Sequence, residues 1–181
     1  MDNTPTLVIQ RYDSSAISEQ QEDMLAAYAE VYAEQLDDPF FSPQRYWQRL
    51  ETYAARGGFT LVTGRLSNQL IGYAYGYTLP AASHWWRGLR GNVDPAVVTE
   101  TGKRTFAVTE LLVRPMWRRR GYARALHDAL LDNRQETRAT LLVLPDNAPA
   151  RTAYQAWGWC KLGELQPFDD APIFDAMVRE L

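Results

Sequence analysis

TFAVTELLVRPMWRRRGYARALHDALL, Thr105 to Leu131, reads as a strand, a tight basic turn and a helix. Phe106 to Val113 is apolar on both pleat faces, as a central strand covered on both sides requires. Pro115 has no amide hydrogen for a ladder, so the strand ends there. Arg118-Arg119-Arg120-Gly121-Tyr122-Ala123 follows, then a helix with Ala125, Leu126, Ala129 and Leu130 on one face. Glycine in the turn, with a small residue two positions on, lets backbone approach a ligand closely. The first amides of the helix lack partners and carry the positive end of its dipole, which makes an anion site. Three arginines add charge-assisted donors suited to phosphate.

Val113-x-Pro115 followed by Arg118-x-x-Gly121-x-Ala123 resembles the acetyl-CoA pyrophosphate loop of the GNAT superfamily of N-acetyltransferases, whose pattern is Arg/Gln-x-x-Gly-x-Gly/Ala. Ala123 stands where glycine is more frequent, a replacement the family tolerates. A second segment, Leu141-Leu142-Val143-Leu144-Pro145-Asp146-Asn147 with Ala150, Tyr154 and Gly158, looks like the family's next strand and helix. The likeness spans about residues 6 to 181. It implies an α/β (α+β) fold with a mixed, mainly antiparallel sheet of about six or seven strands and about four flanking helices. The sheet is expected to splay between its fourth and fifth strands, within one acetyltransferase domain over residues 1–181. Acetyl-CoA is the implied co-substrate, and the amine attacks it directly, without an acyl-enzyme. Carried over residue by residue, the cofactor-binding positions are Leu111, Leu112 and Val113 on the fourth strand, then Arg118, Arg119, Arg120, Gly121, Tyr122, Ala123 and Arg124. Asn147 and Tyr154 complete the set. In the loop, the backbone amides of residues 119 to 123 are expected to carry more of the binding than the side chains.

Length and composition fit this reading. A chain of 181 residues is one domain with room for a proper core. The net charge of −3 argues against general nucleic-acid binding, despite the arginine triplet. The single Cys160 rules out an internal disulfide and reads as a packed small residue rather than a nucleophile. No apolar run approaches the roughly 20 residues of a membrane span, and the amino terminus lacks the basic and apolar regions of a signal peptide. The expectation is a cytoplasmic protein without metal or membrane partner; a homodimer is left open.

Along the chain, Leu7-Val8-Ile9 makes a first strand. Ser18 caps a helix with the stripe Met24, Leu25, Tyr28, Val31, Tyr32 and Leu36, which Asp37-Asp38-Pro39 breaks. Ser42-Pro43 starts a second helix bearing Tyr46, Trp47, Leu50 and Tyr53, ended by Gly57-Gly58. Phe59 to Leu66 and Leu70 to Leu79 form a hairpin about Ser67-Asn68-Gln69, where Gly72 and Gly76 mark a bend or a close neighbour. Residues 80 to 103 form a long connection, functional or mobile by its length, with His84, Trp85 and Trp86 as packing or rim residues. Thr140 to Leu144 is a strand, Asn147 caps a helix over 148–157, and strands towards Leu162 and over Ile173 to Val178 close the chain, with a loop at Pro167 to Ala171.

Acyl transfer to an amine needs a neutral amine, a polarised thioester carbonyl and a stabilised leaving thiolate. Glu110 is the odd residue of the central strand, and a carboxylate there is costly unless paired or facing a cavity. Desolvation would raise its pKa, as a base near neutral pH requires; a structural ion pair or a substrate-binding carboxylate is the other reading. Tyr154, where many family members place a tyrosine near the CoA sulfur, is the candidate acid for the thiolate, unless Ala150, Tyr154 and Trp157 are only a core stripe. Asn147 caps its helix and, in addition, could reach the pantetheine. His127 reads as a surface or satisfied histidine. Glu19, Glu22, Asp23, Glu30, Glu34, Asp37 and Asp38 read mostly as a solvated face. By the resemblance, Asp37 and Asp38, like Asp169 and Asp170, border the acceptor site and favour a cationic, polyamine-like or aminoglycoside-like amine. The leading reading is an N-acetyltransferase acting on a primary amine of a small molecule or an amino-terminal group. The alternative is a non-catalytic acyl-CoA-binding module.

Overall fold

The computed structural model describes residues 6–181, which cluster into two compact units: residues 6–77 with 110–133, and residues 78–109 with 134–181. The strands in chain order are β1 (Val8–Tyr12), β2 (Thr60–Leu66), β3 (Gln69–Thr78), β4 (Leu89–Arg90), β5 (Thr105–Val113), β6 (Arg138–Val143), β7 (Cys160–Leu165) and β8 (Phe174–Glu180). The helices are α1 (Gln21–Val31), α2 (Pro43–Ala54), α3 (Pro95–Val98), α4 (Tyr122–Leu131) and α5 (Ala148–Ala156).

In the first unit β1, β2 and β3 are antiparallel neighbours. The β2–β3 hairpin turns at Ser67 and Asn68, both at positive φ, 45° and 70°. Two left-handed residues in a two-residue loop match the twist of the strands they join. Ser42 starts α2 as expected: its hydroxyl accepts from the Arg45 amide, and Pro43 fills the first position. The start of α1 differs from the sequence expectation. Asp13 accepts from the Ser15 amide and caps a 3-10 helix over Ser14–Gln20 that contains Ser18, and α1 follows from Gln20 with no side-chain cap of its own. Helix α1 then ends at Val31, so Tyr32 and Leu36 lie past its last turn. Asp38 caps a second 3-10 turn, Pro39–Phe41.

In the second unit β5 and β6 run parallel, Thr105–Val108 against Arg138–Leu141, and their shared register stops there although both strands continue. Strand β8 pairs antiparallel with β6 and with β7. The sheet is therefore mixed and mainly antiparallel, as the resemblance implies. The strand count rises to eight because the two residues of β4 pair with β7. The fifth helix is the four-residue α3. Both additions lie in the 80–103 connection, which is anchored rather than loose. Glu100 Oε1 takes the Trp86 indole N–H at 2.8 Å, the Thr105 hydroxyl at 2.9 Å and the Arg138 guanidinium at 2.9 Å, all buried. Cys160 is exposed, not packed. Trp159 before it is buried, while Cys160 and Lys161, the first two residues of β7, are both exposed.

Gly72 has the close neighbour that its place in a strand suggests. A Cβ there would stand 2.5 Å from the Leu112 carbonyl oxygen and 3.1 Å from Val113 Cα, so β3 meets β5 without room for a side chain. Gly72→Ala should lower stability by roughly 1–3 kcal/mol, the usual cost of overpacking. A lower urea midpoint at unchanged slope would show it; an unchanged midpoint would mean that β5 can shift aside.

Candidate active site

Glu110 belongs to the first unit, and its surroundings are built from three elements there. The strand pleat puts Tyr73, Tyr75 and Tyr77 of β3 on one face. Tyr28 and Tyr32 stand four residues apart at the end of α1, and α2 brings Tyr46, Arg49 and Tyr53. Tyr28 stacks on Tyr46 at 3.9 Å between ring centroids and meets Tyr32 at 4.5 Å. The Tyr46 and Tyr73 hydroxyls are 2.7 Å apart. Into this cluster Glu110 projects a half-buried side chain, and the Tyr32 hydroxyl donates to its Oε1 at 3.1 Å.

Burial pushes the Glu110 carboxyl up to about 7, against the opposing pull of the Tyr32 hydroxyl, the Arg49 guanidinium and the Leu111 amide. The phenols move the same way. Burial first, with the Glu110 charge adding to it, holds Tyr28, Tyr32 and Tyr73 above the ordinary tyrosine value. Tyr46, Tyr53 and Tyr75 are raised as well. At neutral pH these tyrosines are uncharged hydroxyl groups, whereas Glu110 changes charge there. The tyrosine face was open to a reading of the sequence, through Tyr73-x-Tyr75-x-Tyr77 in one strand. Tyr32 and Arg49 were not, since neither pattern nor spacing ties them to Glu110.

The basic turn lies in the same unit. A 3-10 turn, Pro115–Trp117, follows β5, and α4 starts after Gly121. Gly121 holds φ at +81° and no side chain caps the helix, so its first amides keep the unpaired state general to helix starts. A Cβ at Gly121 would meet nothing within 4 Å, so glycine is required by the left-handed backbone rather than by crowding. Arg118 Nε donates to the Val113 carbonyl at 3.2 Å, and the Arg120 guanidinium lies 5.1 Å from the Trp117 ring centre. Arg124 pairs with Asp128 one turn along α4. Leu111, Leu112 and Val113 run from Glu110 towards this turn, so a carboxyl, a stretch of strand and a helix start follow one another in one unit.

Asn147 and Tyr154 belong to the second unit. Asn147 Oδ1 accepts from the Ala150 amide at 3.3 Å, the cap expected of it. Tyr154 is half-buried on α5, a helix with no fully buried residue, and its ring meets Trp157 and Trp159 edge-on at 5.6 and 6.0 Å. His127 is buried on α4 with Nδ1 2.8 Å from Asp128 Oδ1, which makes it a satisfied histidine. Of the acids near the chain start, Asp23 pairs with Arg65 and Glu30 with Arg114, while Asp37 stays exposed.

The model of the acetyltransferase (GNAT) family matches residues 22–159, more than half of the chain. The chain belongs to that family of acetyltransferases. Solved structures share its fold at low identity. PH1933 of Pyrococcus horikoshii superposes with a TM-score of 0.68 at 14% identity, covering 97% of this chain and 99% of that one. The PaiA N-acetyltransferase of Thermoplasma acidophilum, crystallised with coenzyme A, gives 0.59 at 11% identity, with 97% and 99% covered. Ard1 of Thermoplasma volcanium gives 0.62 at 15%, with 97% of each chain covered. No curated protein matches the sequence. Among the described residues no helix is long and apolar enough to cross a membrane.

The raised carboxyl has a thermodynamic signature. Folded Glu110 keeps its proton up to about pH 7, against an ordinary value of 4.5. Its contribution to stability is therefore full below about pH 4.5 and is lost as pH rises through 7. Glu110→Gln cannot ionise and escapes that loss. At pH 8 the variant should be more stable than the parent, by up to about 3 kcal/mol, and the gap should close towards pH 5. Melting curves of both proteins across that range would show it; a variant no more stable at pH 8 would overturn the raised value.

Proposed function

We propose that this protein transfers an acetyl group from acetyl-CoA to a primary amine of a small molecule or to an amino-terminal group, as a single cytoplasmic acetyltransferase domain spanning residues 1–181. The observation that carries this reading is Glu110, a carboxyl poised near neutrality within β5, the strand that leads into a helix-start anion site. In the reaction Glu110 takes a proton from the acceptor ammonium, and the neutral nitrogen attacks the thioester carbonyl. The Leu111, Leu112 and Val113 backbone lines the pantetheine arm and donates to the oxygen that gains charge. The Tyr154 phenol gives its proton to the departing thiolate as the C–S bond breaks, and the proton that the acylated nitrogen then sheds restores the phenol. The amides of residues 119 to 123 bind the pyrophosphate with Arg118, Arg119, Arg120 and Arg124 nearby, and the Asn147 carboxamide binds the pantetheine. Coenzyme A in the PaiA structure supports the choice of donor. Exposed acids at Asp37, Asp38, Asp169 and Asp170 support a cationic acceptor.

Release of free thiol from acetyl-CoA, followed over a panel of amines, tests the reaction. Turnover of a cationic amine is expected; tight acetyl-CoA binding with no thiol release from any amine would mark a non-catalytic module instead. With the best amine, Glu110→Gln should lose roughly 10²- to 10⁴-fold in turnover near pH 7 and flatten the acidic limb of the pH–rate profile. Full turnover with that limb intact would remove Glu110 from the chemistry.

Tyr154→Phe keeps the ring against Trp157 and Trp159 and removes only the hydroxyl. Turnover should fall by roughly 10²-fold while acetyl-CoA affinity, measured by calorimetry, stays at the parent value. Equal turnover would return Tyr154 to a packing role.

A further inference from the structure

We propose that Tyr32 is a positioning residue for the base: its hydroxyl, 3.1 Å from Glu110 Oε1, fixes the orientation in which the carboxylate meets the acceptor amine. This rests on the reading of Glu110 as the base.

Tyr32 is itself held on both sides. It lies one residue past α1, where its amide still donates to the Tyr28 carbonyl at 3.0 Å. Its ring is 4.5 Å from that of Tyr28 and 5.5 Å from that of Phe41, in the capped turn before α2. Rings from two separate segments leave the phenol little freedom to swing, so the hydroxyl is a fixed donor. The groups facing Glu110 are Tyr28 and Tyr32 from the end of α1, Tyr46, Arg49 and Tyr53 from α2, and Tyr73 and Tyr75 from β3. Of these only Arg49 is a cation, and its guanidinium hydrogen-bonds the Tyr28 hydroxyl and acts on Glu110 only through space. It donates to the Phe40 carbonyl at 2.9 Å and lies 4.6 Å from the Phe40 ring centre.

The chemistry of the donor matters. An arginine in contact would hold the carboxyl low and make it a poor proton acceptor. A neutral phenol orients the carboxylate and stabilises its charge in part, while leaving it basic. Buried phenols also stay protonated, so Tyr32 remains a donor throughout the pH range in which Glu110 titrates.

Tyr32→Phe, Glu110→Gln and the double variant test this, with the pH–rate profile, kcat and KM measured for each. Removing the hydroxyl withdraws a contact that lowers the Glu110 value, so in Tyr32→Phe the acidic limb should move to higher pH by roughly one unit. At pH 6.5 kcat should fall by about tenfold, with KM for acetyl-CoA unchanged. In the Glu110→Gln background the same substitution should add no further loss, because the two side chains act as one unit. A ¹³C NMR titration of labelled glutamate carboxyls, without substrates, should show the same displacement of Glu110. Fluorotyrosine at position 32, a stronger donor, should move the limb to lower pH, which keeps the test decisive if the phenylalanine variant does not fold. A limb and a carboxyl titration unmoved by either substitution, while Glu110→Gln abolishes the limb, would overturn the role of Tyr32 and leave Glu110 as the base. A limb that survives Glu110→Gln would overturn both.

Discussion

Burying a carboxyl among neutral hydroxyl groups is the constraint on which the rest of the first unit depends. A carboxylate taken from water without a cation in contact resists ionisation, and Glu110 sits in that position, with a phenol as its side-chain partner. The tyrosines of α1, α2 and β3 pack as aromatic bodies and still offer hydroxyl groups, so the same side chains form a core and a polar lining. Arg49 supplies positive charge at a distance, and the Phe40 carbonyl and ring keep it there. The result is a carboxyl that costs the fold stability once ionised and becomes able to accept a proton in the same pH range.

Backbone geometry, rather than side-chain charge, shapes the turn that follows β5 in the same unit. The left-handed turn at Gly121 and the absence of a side-chain cap leave the start of α4 open. Three arginines sit beside it, but Arg118 is tied back to β5 through the Val113 carbonyl and Arg120 rests near Trp117. Close passage of β3 against β5 at Gly72 holds the strand that leads into the turn. Strand, turn and helix are thus placed by two glycines with different reasons: one gives space, the other a φ angle.

The second unit uses a buried ion pair to fasten its long connection. Glu100 and Arg138 are far apart in sequence, and their pairing brings Trp86 and Thr105 into one hydrogen-bonded group. Breaking such a pair from one side leaves an uncompensated charge, which makes the connection hard to release. A stretch that looks loose from its length and its glycines is therefore fixed by two charged residues.

Features that depend on neighbours in the chain were legible in the sequence. The turn at Arg118 to Ala123, the caps at Ser42 and Asn147, the hairpin about Ser67-Asn68-Gln69, whose loop proved one residue shorter, and the interrupted apolar strand at Glu110 are local, since each is set by residues within one or two helical turns or along one strand. The family resemblance extended those local readings to a mixed, mainly antiparallel sheet. What the sequence left open depends on pairs distant along the chain. Tyr32 and Glu110 are 78 residues apart, and nothing local to either says that one donates to the other. Glu100 and Arg138 likewise meet only through folding, and the two-residue β4 exists only because β7 offers it an edge. Cys160 is exposed beside a buried Trp159, and composition cannot make that choice. The sequence determined which groups could carry charge and where the backbone turns. Tertiary structure decided which groups face one another, because burial and hydrogen bonding act through space and set whether a carboxyl such as Glu110 is ionised.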